Sequence, residues 1–411
     1  MLCRISSAVR LGIVVVLALS LSRASAASPK YQALYSFTAG ADGAGPWSGV
    51  ALDRKGNLYG TTTGGGAYGA GVVFKLKRRR TGDWPVTVLH SFQMDDNGYQ
   101  PWSRPVFDPA GNLYATALYG GTNHSGTAFK MAPGPSGWTF NVMYNFCSLP
   151  DCLDAGAYGG FALDSAGNLY GVFNSVLELS PSPDGWVPKV LYTFCSKPGC
   201  ADGNGSYASL ILDKKGNLYG TTPGGGANQN AGTVFKVKHM PDGSWKERVL
   251  HSFSWSPDDG AEPSWGQLAF DSAGNLYGTT YYGGSHGCGE VACGTLFRLS
   301  PQPDGHWKET ILYNFDQGAG GNIPGAGVVI DQAGNLYGTT MAGGTRCDCG
   351  VVYKLSPNPD DTWTYTVLHS FIGSDGFEPH ANMIFDQKGN LYGTTVGGGP
   401  GGYGVVFELT P

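Results

Sequence analysis

The sequence predicts an all-β fold, a seven-bladed β-propeller of four-stranded antiparallel blades, on three observations. The tetrapeptide Gly-Asn-Leu-Tyr occurs seven times, beginning at Gly56, Gly111, Gly167, Gly216, Gly274, Gly334 and Gly389. Successive copies lie 49 to 60 residues apart, which is room for four short strands and their turns in each repeat. Of the 411 residues, 66 are Gly and only 14% are charged, a turn-rich composition without a long helical pattern or the charge excess of a disordered chain.

The chain opens with the pattern of an export signal. Arg4 and Arg10 precede an apolar run from Leu11 to Leu21, too short to span a bilayer, and Ala24-Ser25-Ala26 fits the small-x-small cleavage rule. Residues 1–26 are therefore expected to be removed, leaving residues 27–411 as the propeller, with no membrane span. Without Arg4, Arg10 and Arg23, 23 basic residues face 31 acidic ones, a net charge near −8. That balance argues against nucleic acid or an anionic membrane as partner. Lys75, Lys77 and Arg78 to Arg80 form one basic run, read as a solvated loop tip.

Apart from Cys3, the cysteines fall in four close pairs: Cys147/Cys152, Cys195/Cys200, Cys288/Cys293 and Cys347/Cys349. Behind an export signal, close pairs predict local disulfides, each stabilising by about 2 kcal/mol at most because the loops are short. The Cys-x-Cys ring is the strained one. A zinc site competes with this reading but lacks neighbouring His and the usual two-pair spacing.

Within the last repeat, residues 380–386 alternate in polarity and form strand A; Asp386 to Asn390 is a tight turn; residues 391–395 form strand B; Gly397 to Gly402 is a loop; residues 405–409 form strand C. Earlier repeats add a strand D, as in residues 363–371. The seventh repeat has no D, whereas residues 31–37 look like a D strand standing alone before the first A. Pairing the two closes the ring and removes two exposed sheet edges. Strand A is innermost and D outermost. The strand B tyrosines, such as Tyr59 and Tyr392, are then contacts between blades, and each Asp that closes strand A, from Asp53 to Asp386, holds its hairpin as an Asx turn. Trp84, Trp138, Trp186, Trp245, Trp307 and Trp363 begin outer strands, where packing or solvent contact is expected.

A meander puts the D-to-A and B-to-C loops at one end of the propeller, together with all four Cys pairs. Stiffened loops on a rigid scaffold are where binding residues concentrate. Six residues before each strand A Asp stand Trp47, Trp102, Tyr158, Tyr207, Trp265, Gly325 and His380. Around an inner strand these form a ring near the channel mouth, and flat aromatics with polar edges suit stacking on sugar faces. Arg104, Gln267 and Asn382, two residues further on, share the strand phase and are placed to supply hydrogen bonds below the ring. The competing reading is that the aromatics only plug the gap between blades. The third repeat shortens its B-to-C loop to about Asn174-Ser175, leaving a notch. No Ser-His-Asp order, phosphate loop or His-Glu-x-x-His motif is present, and no metal or other cofactor is expected.

The unit Gly-Asn-Leu-Tyr-Gly-Thr-Thr, a Gly-rich loop and then Gly-Val-Val-Phe-Lys-Leu resembles the GloVer tandem-repeat proteins of bacteria. Residues 56–76, 216–237, 334–355 and 389–409 carry the likeness. The Asp-x-x-Gly-Asn-Leu-Tyr turn is also similar to that of NHL-type propellers. The resemblance implies an exported protein and brings no activity and no functional residues. Many members carry a C-terminal anchoring segment; here the chain stops at Pro411, so a soluble secreted or periplasmic monomer is expected. Its expected partner is an extracellular ligand, a glycan or a protein, held at the aromatic mouth. The alternatives are a propeller lyase or lactonase using His380, Glu378 and Glu262, or a structural envelope component.

Overall fold

A computed structural model describes residues 28–411 apart from 157, 264, 286, 289 and 290, and apart from the side chains of 288, 291 and 292. The expected export signal and its cleavage site lie outside the described residues. Seven antiparallel blades of four strands follow one another around a ring. In the first, Ala51–Leu52, Leu58–Thr62, Val72–Leu76 and Val86–Ser91 are strands A to D. In the seventh, Ile384–Phe385, Leu391–Thr395 and Val405–Thr410 are A to C. Its D strand is Lys30–Ser36, antiparallel to strand C with Lys30 opposite Thr410 and Ser36 opposite Val405. The ring is thus closed by the strand that the sequence left without a sheet.

Why these residues build these blades is plain from the packing. The Gly of Gly-Thr-Thr seats an aromatic ring of strand C: a Cβ on Gly60 would lie 2.5 Å from Phe74, and one on Gly393 would lie 2.4 Å from Phe407. The Phe that follows each strand D is buried, and Phe37, Phe92 and Phe371 are fully so. Tyr59 packs on Phe107 and Trp138 of the next blade, with ring centroids 4.9 and 5.7 Å apart, and Tyr392 packs on Trp84. The expectation of the tyrosines as contacts between blades holds, and the outer tryptophans Trp84 and Trp138 supply the facing rings.

Strand A is shorter than the alternation suggests, with only two residues paired in each blade, as in Ile384–Phe385. Pro46, Pro101, Pro263, Pro324 and Pro379 stand immediately before its expected beginning and offer the ladder no N–H donor there. Several of its carbonyls are engaged instead by the preceding blade: the first Thr of Gly-Thr-Thr donates across the seam, Thr61 to Ser103 O at 3.3 Å, Thr279 to Ala326 O at 2.8 Å and Thr394 to Ser48 O at 3.0 Å.

The D-to-A and B-to-C loops of a blade do share one end, where they pair: Ala44 bridges Gly64, Asn322 bridges Ala342, and Gly260–Ala261 pairs with Tyr282–Gly283. Disulfides join Cys147 to Cys152, Cys195 to Cys200 and Cys347 to Cys349 at this end. Cys293 is also disulfide-bonded; the side chain of Cys288, its expected partner, is outside those described.

Candidate ligand-binding site at the loop-rich end

The structure brings the six expected aromatics together, but as a packed cluster rather than an open ring. Trp47 stacks on Trp102 with centroids 4.9 Å apart, and Tyr207 stacks on Trp265 at 4.7 Å. Trp102 also reaches Trp265 at 6.2 Å, from the second blade to the fifth. His380 meets Trp47 and Trp265 edge-on, both at 5.2 Å. Gly325, the one small residue of the series, makes room for Met341, whose sulfur would lie 2.6 Å from a Cβ there. Burial of His380 pushes its pKa down to about 4, so its imidazole is neutral at physiological pH.

Beneath the cluster the channel is cross-braced. Arg104 Nη2 donates to Gln267 Oε1 at 3.0 Å, and Gln267 Nε2 donates to Leu210 O at 3.0 Å. Asn382 Oδ1 accepts from Gly327 N at 3.0 Å. Burial lowers the pKa of Arg104, although a guanidinium remains charged. The three polar residues expected below the ring are therefore at that level and bonded to one another or to backbone. Gly327 is required by this arrangement, because a Cβ there would lie 2.0 Å from Gln267 O. The space left between aromatics and braces is only about 70 Å³.

A larger hollow of about 550 Å³ opens beside the cluster, across the third to fifth blades. It exists because the third blade joins Leu169–Val172 to Ser175–Ser182 through Phe173 and Asn174 alone. The notch read from the sequence is real, one residue earlier than expected. Tyr158, Tyr207 and Trp265 form one wall and Tyr281 and Tyr282 another. Between them, Asn174, Asn204, Asn230 and Glu262 line the hollow. Ser206 adds a buried hydroxyl without a hydrogen-bond partner among the described residues. Tyr207 is 37% exposed, enough to offer a ring to a ligand. Sequence reasoning does not single out the amides or Tyr281 as binding residues; their only signal is the shortened third loop.

Glu262 and Glu378 are both at this end, each immediately before a Pro and each at φ 54°. Backbone holds them there: Glu262 N donates to Ala231 O at 2.8 Å and Glu378 N to Cys349 O at 3.1 Å, tying each to the preceding blade. Burial raises both carboxyl pKa values. Arg346 borders a separate hollow and His124 is exposed on another blade, while His286 is outside the described residues. A hollow of about 770 Å³ at the opposite end is lined by the turns of Asp53 and Asp108, whose carboxylates are engaged by their own hairpins.

A family model described as the Gloeobacter/Verrucomicrobia repeat matches residues 20–178 and 289–411. No curated protein matches the chain. Among solved structures, it is similar to a putative 6-phosphogluconolactonase from Bacteroides uniformis, with 14% identity and a TM-score of 0.48 over 84% of this chain and 89% of that one. It is also similar to a putative oxidoreductase (glucose dehydrogenase) from Thermus thermophilus, with 14% identity and a TM-score of 0.43 over 93% of this chain and 100% of that one.

Proposed function

Because the chain belongs to the Gloeobacter/Verrucomicrobia repeat family, whose description names a repeat and no activity, we propose a function from the site alone: an exported, disulfide-stapled propeller that binds a glycan in the groove across its third to fifth blades. The observation that carries this reading is the 550 Å³ hollow walled by aromatic rings and edged by amides and a carboxyl. Aromatic faces stack on the apolar faces of pyranose rings, and amides serve hydroxyls as both donors and acceptors. The packed mouth moves the binding surface to the side of the channel, with Tyr207 and Trp265 shared between cluster and groove. Export is supported by the three cross-strapped loops, since disulfides persist in oxidising compartments. No described helix is long and apolar enough to cross a membrane.

Glycan-array screening and affinity electrophoresis of wild type beside Tyr207→Ala and Trp265→Ala test the proposal. Each substitution is expected to weaken retention by about tenfold or more, the usual scale for a buried aromatic contact. Retention of wild type on no glycan, or equal retention of all three proteins, removes the reading. Binding to a purified envelope protein in the same screen, unaffected by sugars, would identify a protein ligand instead.

A further inference from the structure

At the outer rim, the fourth strands of neighbouring blades meet in a repeated way. Two residues before its terminal Phe, one strand presents a Tyr or His; the next blade covers that ring with the residue six before its own Phe. His90 and Phe140 stack at 4.0 Å, Tyr313 and Tyr365 at 4.0 Å, and His369 and Tyr31 at 3.9 Å. Between the fourth and fifth blades the pair is His251 and Glu309. His251 Nε2 lies 3.8 Å from Glu309 Oε2 and 3.2 Å from Asp259 Oδ1, and the donor atoms of all three residues lie within 4.8 Å of one another.

Two carboxylates converge here with no Lys or Arg ion-paired to either among the described residues. At the preceding seam, the equivalent Glu247 has Lys197 Nζ at 2.8 Å. Glu309 has no such cation among the described residues, and its Oε1, like that of Glu247, is buried without a hydrogen-bond partner among them. Asp259 is held in place by Ser254, whose N and Oγ donate to Oδ2 at 2.8 and 2.9 Å, and by Gly260 N, which donates to Oδ1 at 2.7 Å. A fixed carboxylate, an imidazole nitrogen and a second carboxylate with no Lys or Arg beside it among the described residues form one donor set on two blades.

We propose that His251, Asp259 and Glu309 bind a borderline divalent transition cation, of which Zn²⁺ is the representative, as a clamp across the fourth and fifth blades. One nitrogen and two oxygen donors, with water completing the shell, suit Zn²⁺ or Mn²⁺ better than soft ions, which prefer sulfur. Tetrahedral zinc with bonds of about 2.1 Å sets its ligands about 3.4 Å apart, between the present His251–Asp259 and His251–Glu309 spacings of 3.2 and 3.8 Å. The bonds from Ser254 and Gly260 orient the carboxylate from behind, as metal ligands usually require. Nothing in the linear spacing of positions 251, 259 and 309 signals this; it arises only when two strands D lie side by side.

Isothermal titration of metal-stripped, tag-free full chain with Zn²⁺, alongside metal content by mass spectrometry after dialysis, tests the site. Wild type is expected to retain about one equivalent and to melt at higher temperature with Zn²⁺ than after chelation. Glu309→Gln is expected to lower the affinity by at least tenfold. Glu309→Tyr is the second variant, because it rebuilds the stack seen for Tyr31 over His369 and keeps the seam packed; it is expected to fold and retain no zinc. Absence of retained zinc in wild type, or equal retention by wild type and Glu309→Tyr, overturns the proposal. Neither result bears on glycan retention, because none of the three residues lines the groove.

Discussion

Each Asp that ends a strand A organises its own hairpin. Asp331 Oδ1 accepts from Ala333 N and Asn335 N, both at 2.9 Å, while Oδ2 accepts from Asn335 Nδ2 at 2.7 Å and Tyr337 Oη at 3.0 Å. Burial alone raises this carboxyl's pKa, but the summed hydrogen bonds outweigh it and hold the value below 3.8. The Asx turn was legible because Asp, Gly and Asn recur at fixed spacing. The bond from the Tyr hydroxyl was not, because the ring's role in packing already accounted for its recurrence. Asp331→Ala is expected to destabilise by about 2 kcal/mol, since it removes bonds to a charged acceptor and orphans the Tyr337 hydroxyl. Chemical denaturation checks this, and Tyr337→Phe should show a smaller loss.

At the scale of the strand, the closing pair was readable and the paired length of strand A was not. Residues 31–37 announced themselves by type: a D strand missing at one end of the chain and left over at the other. The inner strands misled because alternation records which side chains face the channel, not which carbonyls keep a partner within the blade. Thr339, for example, donates to Pro379 O of the next blade at 3.2 Å. Phe37 is fully buried against Phe74, with ring centroids 5.1 Å apart, so the closing strand contributes core as well as hydrogen bonds. Phe37→Ala is expected to cost about 4 kcal/mol, measured by thermal or denaturant melting. A loss under about 1 kcal/mol would mean that closure contributes little to stability.

Across the whole molecule, blade number, strand order and the loop-rich end followed from the repeat, and so did the identity of the clustered aromatics. Their collapse onto one another did not follow, because a recurring position gives the depth of a residue and says nothing of ring width. Collapse has a pH signature. His380 folds with a pKa near 4, below its ordinary 6.5, so it contributes stability above about pH 6.5 that is lost as pH falls through 4. The linked loss is about 3 kcal/mol by pH 4. Asp53, Asp108, Asp213, Asp271, Asp331 and Asp386 all have pKa values below 3.8 and add a second loss at more acid pH. Melting curves from pH 7 to 3 should decline in that order, and His380→Gln should flatten the first decline.

Five seams are fastened by a Thr hydroxyl on a neighbouring carbonyl, those of Thr61, Thr116, Thr279, Thr339 and Thr394. The third blade has Val172 at that position, and the hydroxyl of Thr221 in the fourth is buried without a partner among the described residues. There the fastening comes from the channel instead, through Ser209 Oγ accepting from Gly160 N and Gln267 Nε2 donating to Leu210 O, each at 3.0 Å. These are the two joints that the groove straddles. The circle is therefore expected to be most compliant where a ligand would press on it, so that occupancy should be felt as a change in its stiffness rather than in its shape.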